Sequence, residues 1–353
     1  MRRALSLAAR ARGRVSPNPL VGCVIARGAR VLATGYHHQA GKAHAEVDAL
    51  SKLGGRAPGA TVYVTLEPCN HTGRTGPCTE ALISAGVAEV VCGMRDPNRK
   101  VAGRGLERLR RAGIRVRAGV LEEECRALNE AWLHWLKTGR PLVTLKAAVT
   151  LDGRLAARGG DARWVSGERS REEAHRLRDE SDAILVGART VEIDDPQLTT
   201  RLPHRPGRDP LRVILDGKLS ISPRARALPA LIATTRTAPK RPALERQGGE
   251  LLRLPGKNGR VALGALLTEL GKRGVVSLLV EGGGEVHGQL LSAGLVDRVA
   301  LFVAPKLVGS GGVPLLGSLL GPNKMREAFA LAGVSTRRLG DDIFVSGRVV
   351  KQA

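Results

Sequence analysis

Strand patterns and helix patterns alternate along most of the chain, and this alternation restricts the fold more than any other feature of the sequence. The segment 61–66, TVYVTL, is short and rich in β-branched residues, which is typical of a strand. The segment 77–86 that follows, PCTEALISAG, predicts a helix with Pro77 in its first turn and Gly86 beyond its end. Because regular alternation of this kind produces helices layered on a sheet, we predict an α/β fold.

A second series of strands and helices begins after the segment TGRP at 138–141. The length of 353 residues exceeds what one ordinary hydrophobic core accommodates, so we expect two domains. The boundary at TGRP places one domain at 1–140 and the other at 141–353. Residues 201–211 and 236–242 are rich in Pro and Arg and predict surface loops of the second domain.

Three further patterns in the first domain predict individual elements. The N-terminal segment MRRALSLAARARGR has the spacing of an amphipathic helix, and its apolar run is too short for a signal peptide. The segment 21–37 predicts two strands joined by a turn at Gly28. The segment 122–137, EEECRALNEAWLHWLK, predicts one long amphipathic helix.

The charge of the chain is strongly positive but is not concentrated. The net charge is +23, spread over both halves with no basic arm, and Phe, Trp and Tyr together make up 2% of the residues. Nucleic-acid-binding surfaces are more often concentrated basic patches, and single-strand platforms need aromatic side chains. We therefore expect no nucleic-acid partner, whereas an anionic small-molecule substrate is compatible with this charge.

The five cysteines bear on the cellular compartment and on a possible metal site. We find neither an export signal nor an apolar run of about 18 residues, so we expect a cytoplasmic protein that does not enter a membrane. Cysteines of the cytosol stay reduced, which favours metal binding over a disulfide for the clustered pair Cys69 and Cys78. Cys23, Cys92 and Cys125 lie on apolar elements and are expected in the core.

His44, Cys69 and Cys78 form a ligand set for zinc. Each lies at the end of a predicted strand or helix, where loops converge, and one histidine with two thiolates leaves a fourth position open for water. Glu46 lies two residues after His44 and is available to move protons between the water and a leaving amine. Zinc deaminases share the general pattern H-x-E followed by P-C-x-x-C, but here eight residues separate the cysteines. The alternative is that these four are ordinary core or surface residues.

The segment 280–294, VEGGGEVHGQLLSAG, predicts a strand, a glycine run and a helix. Backbone N–H groups at the start of such a helix favour anions. Two known nucleotide-binding patterns are absent, because His287 replaces the third glycine of G-x-G-x-x-G and Gln289 replaces the lysine of a P-loop. The glycine run is thus a candidate anion site, and a plain turn remains the alternative.

Several motifs of the first domain resemble the deaminase domain of the bifunctional deaminase/reductase family of riboflavin biosynthesis. They are HAEVDAL, TLEPCNHTGRTGPC, DPNRKVAGRG, PNP at 17–19 and GYHH at 35–38. The long insertion between the cysteines distinguishes that family from cytidine and tRNA-adenosine deaminases. The resemblance implies a cytidine-deaminase-like three-layer domain with substrate contacts from Asn18, His37, His71 and Arg74.

The second domain resembles the reductase domain of the same family, which is similar to dihydrofolate reductase and uses NADPH. The motifs TLDGRLA, RWVSG, ILVGARTVEIDDPQLTTR, EGGGEVHG and VAPKLVG occur in the family's order. The resemblance implies an NADPH site lined by Val149, Trp164, Thr190, Asp194, Gly283, Gly284, Glu285, Val286, His287, Gly288 and Gln289. It also implies a substrate site formed by Ala162, Arg178, Leu198, Arg201 and Glu281. Ala162 departs from the family, which often has a hydroxyl residue there.

Together these resemblances imply a zinc-dependent deamination of a phosphorylated pyrimidine, 2,5-diamino-6-(5-phosphoribosylamino)pyrimidin-4-one. NADPH would then reduce the ribosyl group and give 5-amino-6-(5-phosphoribitylamino)uracil. The family also suggests a homo-oligomer, a dimer or larger. Two alternatives stay open at this point: a polynucleotide or nucleoside deaminase with a fused accessory domain, and a basic RNA-associated protein with a structural zinc.

Overall fold

The computed structural model describes residues 1–71, 76–98, 103–317, 319 and 321–350. The chain divides into two compact units, Met1–Thr138 and Gly139–Ala353, with the division inside the TGRP segment. No helix in the described ranges is both long and apolar enough to cross a membrane.

The first unit is built on a five-stranded mixed sheet. Its strands are β1 (Gly22–Arg27), β2 (Arg30–Tyr36), β3 (Thr61–Leu66), β4 (Glu89–Met94) and β5 (Arg115–Arg117). Their order is β2-β1-β3-β4-β5; β1 is antiparallel to both neighbours, and β3, β4 and β5 are parallel. The helices are α1 (Arg2–Ala9), α2 (Ala45–Ser51), α3 (Cys78–Ser84), α4 (Arg104–Arg111), α5 (Glu122–Leu128) and α6 (Glu130–Thr138).

Two glycines show how helices cover both faces of this sheet. A Cβ at Gly22 would lie 2.0 Å from the carbonyl oxygen of Ala4 in α1, and a Cβ at Gly35 would lie 2.3 Å from that of Ala45 in α2. Successive residues of a strand point to opposite faces, and Gly22 pairs with Tyr36 whereas Gly35 pairs with Cys23. The helices α1 and α2 therefore pack on opposite faces, which makes a three-layer unit.

Most elements predicted for this unit are confirmed, and two differ in detail. The N-terminal helix, the strand at 61–66 and the strand pair around Gly28 are present, with Gly28 at φ +55°. Pro77 is the N-cap of α3 and does not lie in its first turn. The single helix predicted at 122–137 is wrong, because α5 and α6 are separated at Asn129. The buried Asn129 side chain accepts a hydrogen bond from the Leu20 N–H (2.8 Å) and donates one to the Leu20 carbonyl (3.0 Å).

The second unit contains a nine-stranded sheet with two additional short strand pairs. Its strands are β6 (Leu142–Thr150), β7 (Arg154–Ala156), β8 (Ala183–Gly187), β9 (Leu211–Leu215), β10 (Ala230–Thr235), β11 (Gly249–Leu254), β12 (Gly256–Lys257), β13 (Arg260–Val261), β14 (Ser277–Val280), β15 (Arg298–Ala304), β16 (Val313–Pro314), β17 (Leu331–Leu339) and β18 (Asp342–Val349). Its helices are α7 (Glu168–Glu180), α8 (Ala188–Asp194), α9 (Pro242–Arg246), α10 (Leu263–Lys272) and α11 (Gly284–Ser292), with a short 3₁₀ helix at Met325–Glu327.

The sheet order is β11-β10-β9-β8-β14-β6-β15-β18-β17. The strands from β11 to β15 are parallel, and β18 and β17 continue the sheet as an antiparallel hairpin. Leu185 of β8 packs in one core with α10 and α11, whereas its neighbours Ile184 and Val186 pack in another with α8 and α9. Because both faces are covered, the loops at the carboxyl ends of the parallel strands remain for ligands.

Candidate functional site

Three potential metal ligands meet where elements of the first unit end. His44 is the N-cap of α2, Cys69 follows β3 closely, and Cys78 is the first residue of α3. His44 Nδ1 lies 3.2 Å from Cys78 Sγ and 3.5 Å from Cys69 Sγ, and the three ligand atoms lie within 4.8 Å of one another. All five cysteines, which all fall in the described ranges, are free thiols, so Cys69 and Cys78 do not form a disulfide.

The spacing of these atoms fits a zinc ion. A tetrahedral zinc with bonds of about 2.3 Å to sulfur and about 2.0 Å to nitrogen places its ligand atoms roughly 3.5–3.8 Å apart. The separations of His44 Nδ1 from the two sulfur atoms, 3.2 and 3.5 Å, are close to this range. Among the described residues the group contains three such ligands, which leaves one tetrahedral position for water or substrate.

The charges of the two thiols favour metal binding. Cys69 Sγ accepts hydrogen bonds from the Cys78 thiol, from His44 and from the Cys78 backbone N–H, and these lower the pKa of Cys69 to about 4. The same contact with Cys69 and the burial of Cys78 raise the pKa of the Cys78 thiol. The surroundings thus favour a thiolate on Cys69, the form that binds metal, and a coordinating metal deprotonates the second thiol.

Glu46 lies in the first turn of α2, beside the cluster, and is 3% exposed. Burial and the negative charge of Cys69 raise the pKa of Glu46 to about 7. A carboxyl group that titrates near neutrality can both accept and release a proton during one catalytic cycle. Burial and the raised pKa are typical of a group that transfers protons, and they distinguish Glu46 from a solvated surface carboxylate.

Asn18 and His37 lie next to the zinc ligands. The buried His37 makes hydrogen-bonding contacts with the Ala43 carbonyl through Nδ1 (3.0 Å) and with Asn18 Nδ2 through Nε2 (3.1 Å). Because a carbonyl only accepts, the proton of neutral His37 lies on Nδ1, and Nε2 accepts from Asn18. The ring of His37 meets the ring of His44 edge to face at 5.5 Å. These contacts orient Asn18 and His37 around His44.

His71 is exposed at the beginning of the insertion between the cysteines. His71 lies close enough to Asp96 to affect the pKa of that carboxyl group. Burial raises the pKa of Asp96, and the charge of His71 lowers it. Arg74, the other predicted substrate contact of this insertion, lies outside the described residues.

A cavity of about 240 Å³ in the second unit contains much of the predicted reductase substrate site. Ala162, Arg178 and Arg201, all predicted to contact substrate, line it together with Trp164, which we predicted at the cofactor site. The Trp164 ring is 64% exposed and lies under the guanidinium of Arg171, 4.7 Å from the ring centroid. Four cationic side chains, Lys146, Arg171, Arg178 and Arg201, thus line one cavity, as an anionic ligand requires.

Glu281 is bound by two of these cations. Arg178 donates to it from Nε (2.7 Å) and Nη2 (2.8 Å), and Lys146 Nζ lies 3.2 Å from Oε2. Burial alone raises the pKa of Glu281, but the charges of Arg178 and Lys146 outweigh burial and hold the pKa well below its usual range. The carboxylate is therefore ionised and fixes the orientation of both cations.

The imidazole of His175 lies in the same cavity and stays neutral. Burial and the charges of Arg178 and Arg201 lower its pKa to about 4. The backbone N–H of Arg201 donates to His175 Nδ1 at 3.2 Å, so the proton of the neutral ring lies on Nε2. The guanidinium of Arg201 contacts Gln197 Oε1 and Thr199 Oγ1, which hold it at the end of its loop.

The residues predicted to bind NADPH gather at the carboxyl edge of the parallel strands. Val149 is near the end of β6, Thr190 and Asp194 lie in the helix after β8, and the 283–289 segment follows β14. The Gly283 N–H donates to Thr190 Oγ1 at 3.2 Å and joins two of these loops. Gly283 is the N-cap of α11, whose first N–H groups favour an anion such as a cofactor phosphate. The residue set thus fits a phosphate-bearing cofactor.

Comparison with known proteins identifies the family. The cytidine and deoxycytidylate deaminase zinc-binding region matches residues 1–94, and the RibD C-terminal domain matches residues 141–345. The chain is 41% identical to the riboflavin biosynthesis protein RibD of Aquifex aeolicus, over 98% of this chain and 96% of that one. It is also 41% identical to the RibD protein of Escherichia coli, over 97% of this chain and 96% of that one.

The chain belongs to the RibD family.

Two solved structures of RibD-type proteins are similar over the whole chain. Acinetobacter baumannii RibD has a TM-score of 0.89 at 35% identity and covers 99% of this chain and 98% of its own. A diaminohydroxyphosphoribosylaminopyrimidine deaminase/5-amino-6-(5-phosphoribosylamino)uracil reductase from Thermotoga maritima has a TM-score of 0.87 at 37% identity, with coverage of 99% and 97%. The expected fold class is confirmed: a cytidine-deaminase-like unit followed by a RibD reductase unit of the dihydrofolate-reductase type. As a RibD enzyme, the chain is a zinc-dependent deaminase and an NADPH-dependent reductase.

Some predicted site residues have their side chains away from the cavity of this RibD chain. Leu198 is 3% exposed and packs in the core with Ile184 and Val186, and its backbone has φ +55°. His287 is 1% exposed inside the 283–289 segment, and Glu285 pairs with Arg260 and Gln289. Any ligand contact of Leu198 would therefore involve its backbone.

Sequence reasoning missed several residues of the reductase cavity, among them Lys146, Arg171 and His175. Lys146 is in the interior of β6 and His175 is in the interior of α7, and neither belongs to a recognisable motif. One signal was available for Lys146, which is the single charged residue of a mostly apolar strand, LVTLKAAVT. A charge at such a position indicates a buried partner, which is Glu281, 135 residues further along the chain.

Proposed function

We propose that this RibD chain deaminates 2,5-diamino-6-(5-phosphoribosylamino)pyrimidin-4-one and then reduces the ribosyl group to give 5-amino-6-(5-phosphoribitylamino)uracil. One observation carries the deaminase half: His44, Cys69 and Cys78 place three ligand atoms within 4.8 Å of one another, with the buried Glu46 beside them. The Thermotoga maritima relative has this pair of activities in its name.

The deaminase residues have three separate roles: metal binding, proton transfer and substrate orientation. His44, Cys69 and Cys78 would hold zinc, which supplies a Lewis acid that makes water nucleophilic near neutral pH. Glu46 takes a proton from the attacking water and delivers it to the departing amine, so that ammonia leaves. The other proton of the water ends on the neighbouring ring nitrogen, and a carbonyl replaces the amino group. Asn18 and His37, fixed by their contacts at 3.1 and 3.0 Å, are assigned to substrate orientation.

The reductase residues bind the substrate, orient it and supply the proton that the reduction consumes. Arg178 and Arg201 are assigned to the substrate phosphate, which a guanidinium binds through paired hydrogen bonds. NADPH supplies the hydride when bound at the 283–289 segment. Reduction of the ribosyl carbon also consumes a proton, and we assign its delivery to the amine of Lys146, which lines the cavity at 3.2 Å from Glu281.

The test supplies the diaminopyrimidine substrate to the zinc-loaded chain and follows ammonia and NADPH together. We expect ammonia release followed by an equal amount of NADPH oxidation. Glu46→Gln should retain zinc, release no ammonia and still oxidise NADPH when the deaminated intermediate is supplied. Asp48→Asn is the matched control, because Asp48 is a carboxylate of the same helix that bonds to Lys52 (3.0 Å) and the Tyr36 N–H (3.2 Å), away from the cluster.

Two outcomes would contradict this proposal. Ammonia released from a tRNA or single-stranded DNA oligomer, with none from the free pyrimidine, would favour the polynucleotide deaminase. Zinc binding without any ammonia release would favour a structural zinc. A homo-oligomer, a cytoplasmic location and the absence of a nucleic-acid partner stay predictions, and light scattering at micromolar concentration tests the first.

A further inference from the structure

Glu67 is a buried carboxylate whose four hydrogen bonds all come from backbone N–H groups. It is 4% exposed. Oε2 accepts from the N–H of Asp96 (3.2 Å) and of Gly103 (3.0 Å). Oε1 accepts from Gly105 (3.0 Å) and Leu106 (3.3 Å). These bonds offset the loss of hydration that a buried carboxylate suffers.

The four donors belong to two parts of the chain that lie far from Glu67 in sequence. Asp96 and Gly103 are the two ends of one connection between β4 and α4, and a single oxygen atom binds both. Gly105 and Leu106 are in the first turn of α4. One side chain therefore fixes both ends of this connection and the start of α4 relative to the end of β3.

The same side chain is adjacent to the zinc ligands. Glu67, Pro68 and Cys69 are consecutive, and a Cβ at Gly105 would lie 2.0 Å from the Pro68 carbonyl oxygen. The start of α4 thus packs directly on the chain that carries Cys69. Asp96, whose N–H Glu67 binds, is close enough to His71 and Cys69 for their charges to affect its pKa, although burial has the larger influence.

We propose that Glu67 is a positioning residue of the deaminase site, whose carboxylate holds the Asp96 and Gly103 ends of the β4–α4 connection beside the Cys69 segment. Through these bonds Glu67 sets where Asp96 lies relative to the zinc ligands and to His71, and thereby the width of the substrate site. This inference rests on the proposed deaminase function and names a residue outside the zinc ligands and outside the predicted substrate contacts.

The test compares Glu67→Gln with wild type in the deaminase assay. Glutamine has one acceptor oxygen, so two of the four N–H groups lose their partner and meet an NH₂ group instead. We expect the deaminase KM to rise about tenfold with kcat within about twofold, because the bound substrate loses contacts while the reacting groups remain. Zinc content should stay as in wild type, and the reductase activity of the same chain, assayed with the deaminated intermediate, should not change.

Two further variants separate positioning from general stabilisation. Glu80→Gln is the matched control: Glu80 is a half-exposed carboxylate bound to Arg108 of the same α4 (2.7 and 3.0 Å), and its KM should equal that of wild type. Glu67→Asp keeps both oxygens and the charge on a shorter stem, so its KM should lie between those of wild type and Glu67→Gln. If Glu67→Gln is poorly folded, the KM of Glu67→Asp is compared with that of wild type instead.

An unchanged KM in folded Glu67→Gln, or in folded Glu67→Asp where that variant carries the test, would overturn the inference. So would a loss of zinc in parallel with kcat, because Glu67 would then support the ligands and not the substrate site. Failure of the wild-type chain to release ammonia is a different result, which would reject the proposed function itself.

Discussion

The guanidinium of Arg178 lies side by side with the carboxylate of Glu281, joined by two hydrogen bonds of 2.7 and 2.8 Å in the interior of the reductase unit. Their side chains are 15% and 8% exposed, and Lys146 Nζ approaches the same carboxylate. Arg178 comes from α7 and Glu281 follows β14, so the pair joins elements that are 103 residues apart in sequence. Its geometry allows both cations to face the cavity in fixed orientations.

Replacement of Glu281 by glutamine should therefore affect stability and reduction together. Two buried cations would lose their anion, and the loss of one partner of a buried pair costs about 3–5 kcal/mol. We expect calorimetry to show a lower melting temperature for the reductase unit, and the reductase kcat/KM to fall by at least about tenfold through misorientation of the cations. Glu250→Gln, which removes an exposed partner of Arg273, should change stability by less than about 1 kcal/mol. Equal effects of the two substitutions would contradict the structural role of the buried pair.

Removal of zinc should abolish deamination and leave reduction intact. Cys69→Ser replaces one of the three ligands, and we expect the zinc content to fall well below the roughly one ion per chain of wild type. Ammonia release should disappear, while NADPH oxidation with the deaminated intermediate should continue. Cys92→Ala is the control, because Cys92 is a buried thiol of the same unit that bonds to the Met94 carbonyl and not to the cluster. Loss of both activities in Cys69→Ser alone would show that the two units depend on each other.

The proposed zinc ligands could be picked out in the sequence because each lies at the end of a recognisable element. His44, Cys69 and Cys78 follow or precede segments whose periodicity identifies a strand or a helix. The strand at 61–66 was similarly clear, because β-branched residues run together there. Elements of this kind can be predicted from the sequence because residues close together in the chain determine them.

The sequence did not predict contacts that join distant parts of the chain. Glu67 appeared only as part of a motif, because its four N–H donors lie 29 to 39 residues further on. Lys146 and His175 meet in one cavity only after β6 and α7 have packed. The break at Asn129 was also missed, because its cause is the backbone of Leu20, 109 residues earlier.

The contact between Asn129 and Leu20 should stabilise the deaminase unit. Asn129→Ala leaves the Leu20 N–H and carbonyl without their partners in a site where Asn129 itself is 2% exposed. An unsatisfied buried polar group costs about 1–3 kcal/mol, so we expect the free energy of unfolding of this unit to fall by about 2 kcal/mol. Glu123→Ala, at an exposed position of the neighbouring α5, should stay within about 0.5 kcal/mol of wild type. Calorimetry of the metal-loaded chain measures both, and similar values for the two variants would refute the argument.

His287 should make the reductase unit sensitive to acid. Its ring is 1% exposed, and burial lowers its pKa to about 4 from the usual 6.5, although the nearby backbone carbonyls of Leu315 and Val280 oppose this shift. Below pH 6.5 the unfolded chain binds a proton that the folded chain does not, so stability falls as the pH decreases from 6.5 towards 4. The two pKa values correspond to a loss of about 2 kcal/mol at pH 5 relative to neutral pH.

His287→Leu removes this titration. Between pH 7 and pH 5 the variant should therefore lose about 2 kcal/mol less stability than wild type. The measurement is the difference in calorimetric stability between the two pH values, which cancels any constant effect of the new side chain. His204→Leu is the control, because His204 is exposed in the folded chain and should leave the acid sensitivity as in wild type. The remaining sensitivity of His287→Leu should come in part from His175, whose pKa burial also lowers to about 4. If His287→Leu loses as much stability as wild type between pH 7 and pH 5, His287 does not titrate differently in the folded and unfolded chain, and the argument is wrong.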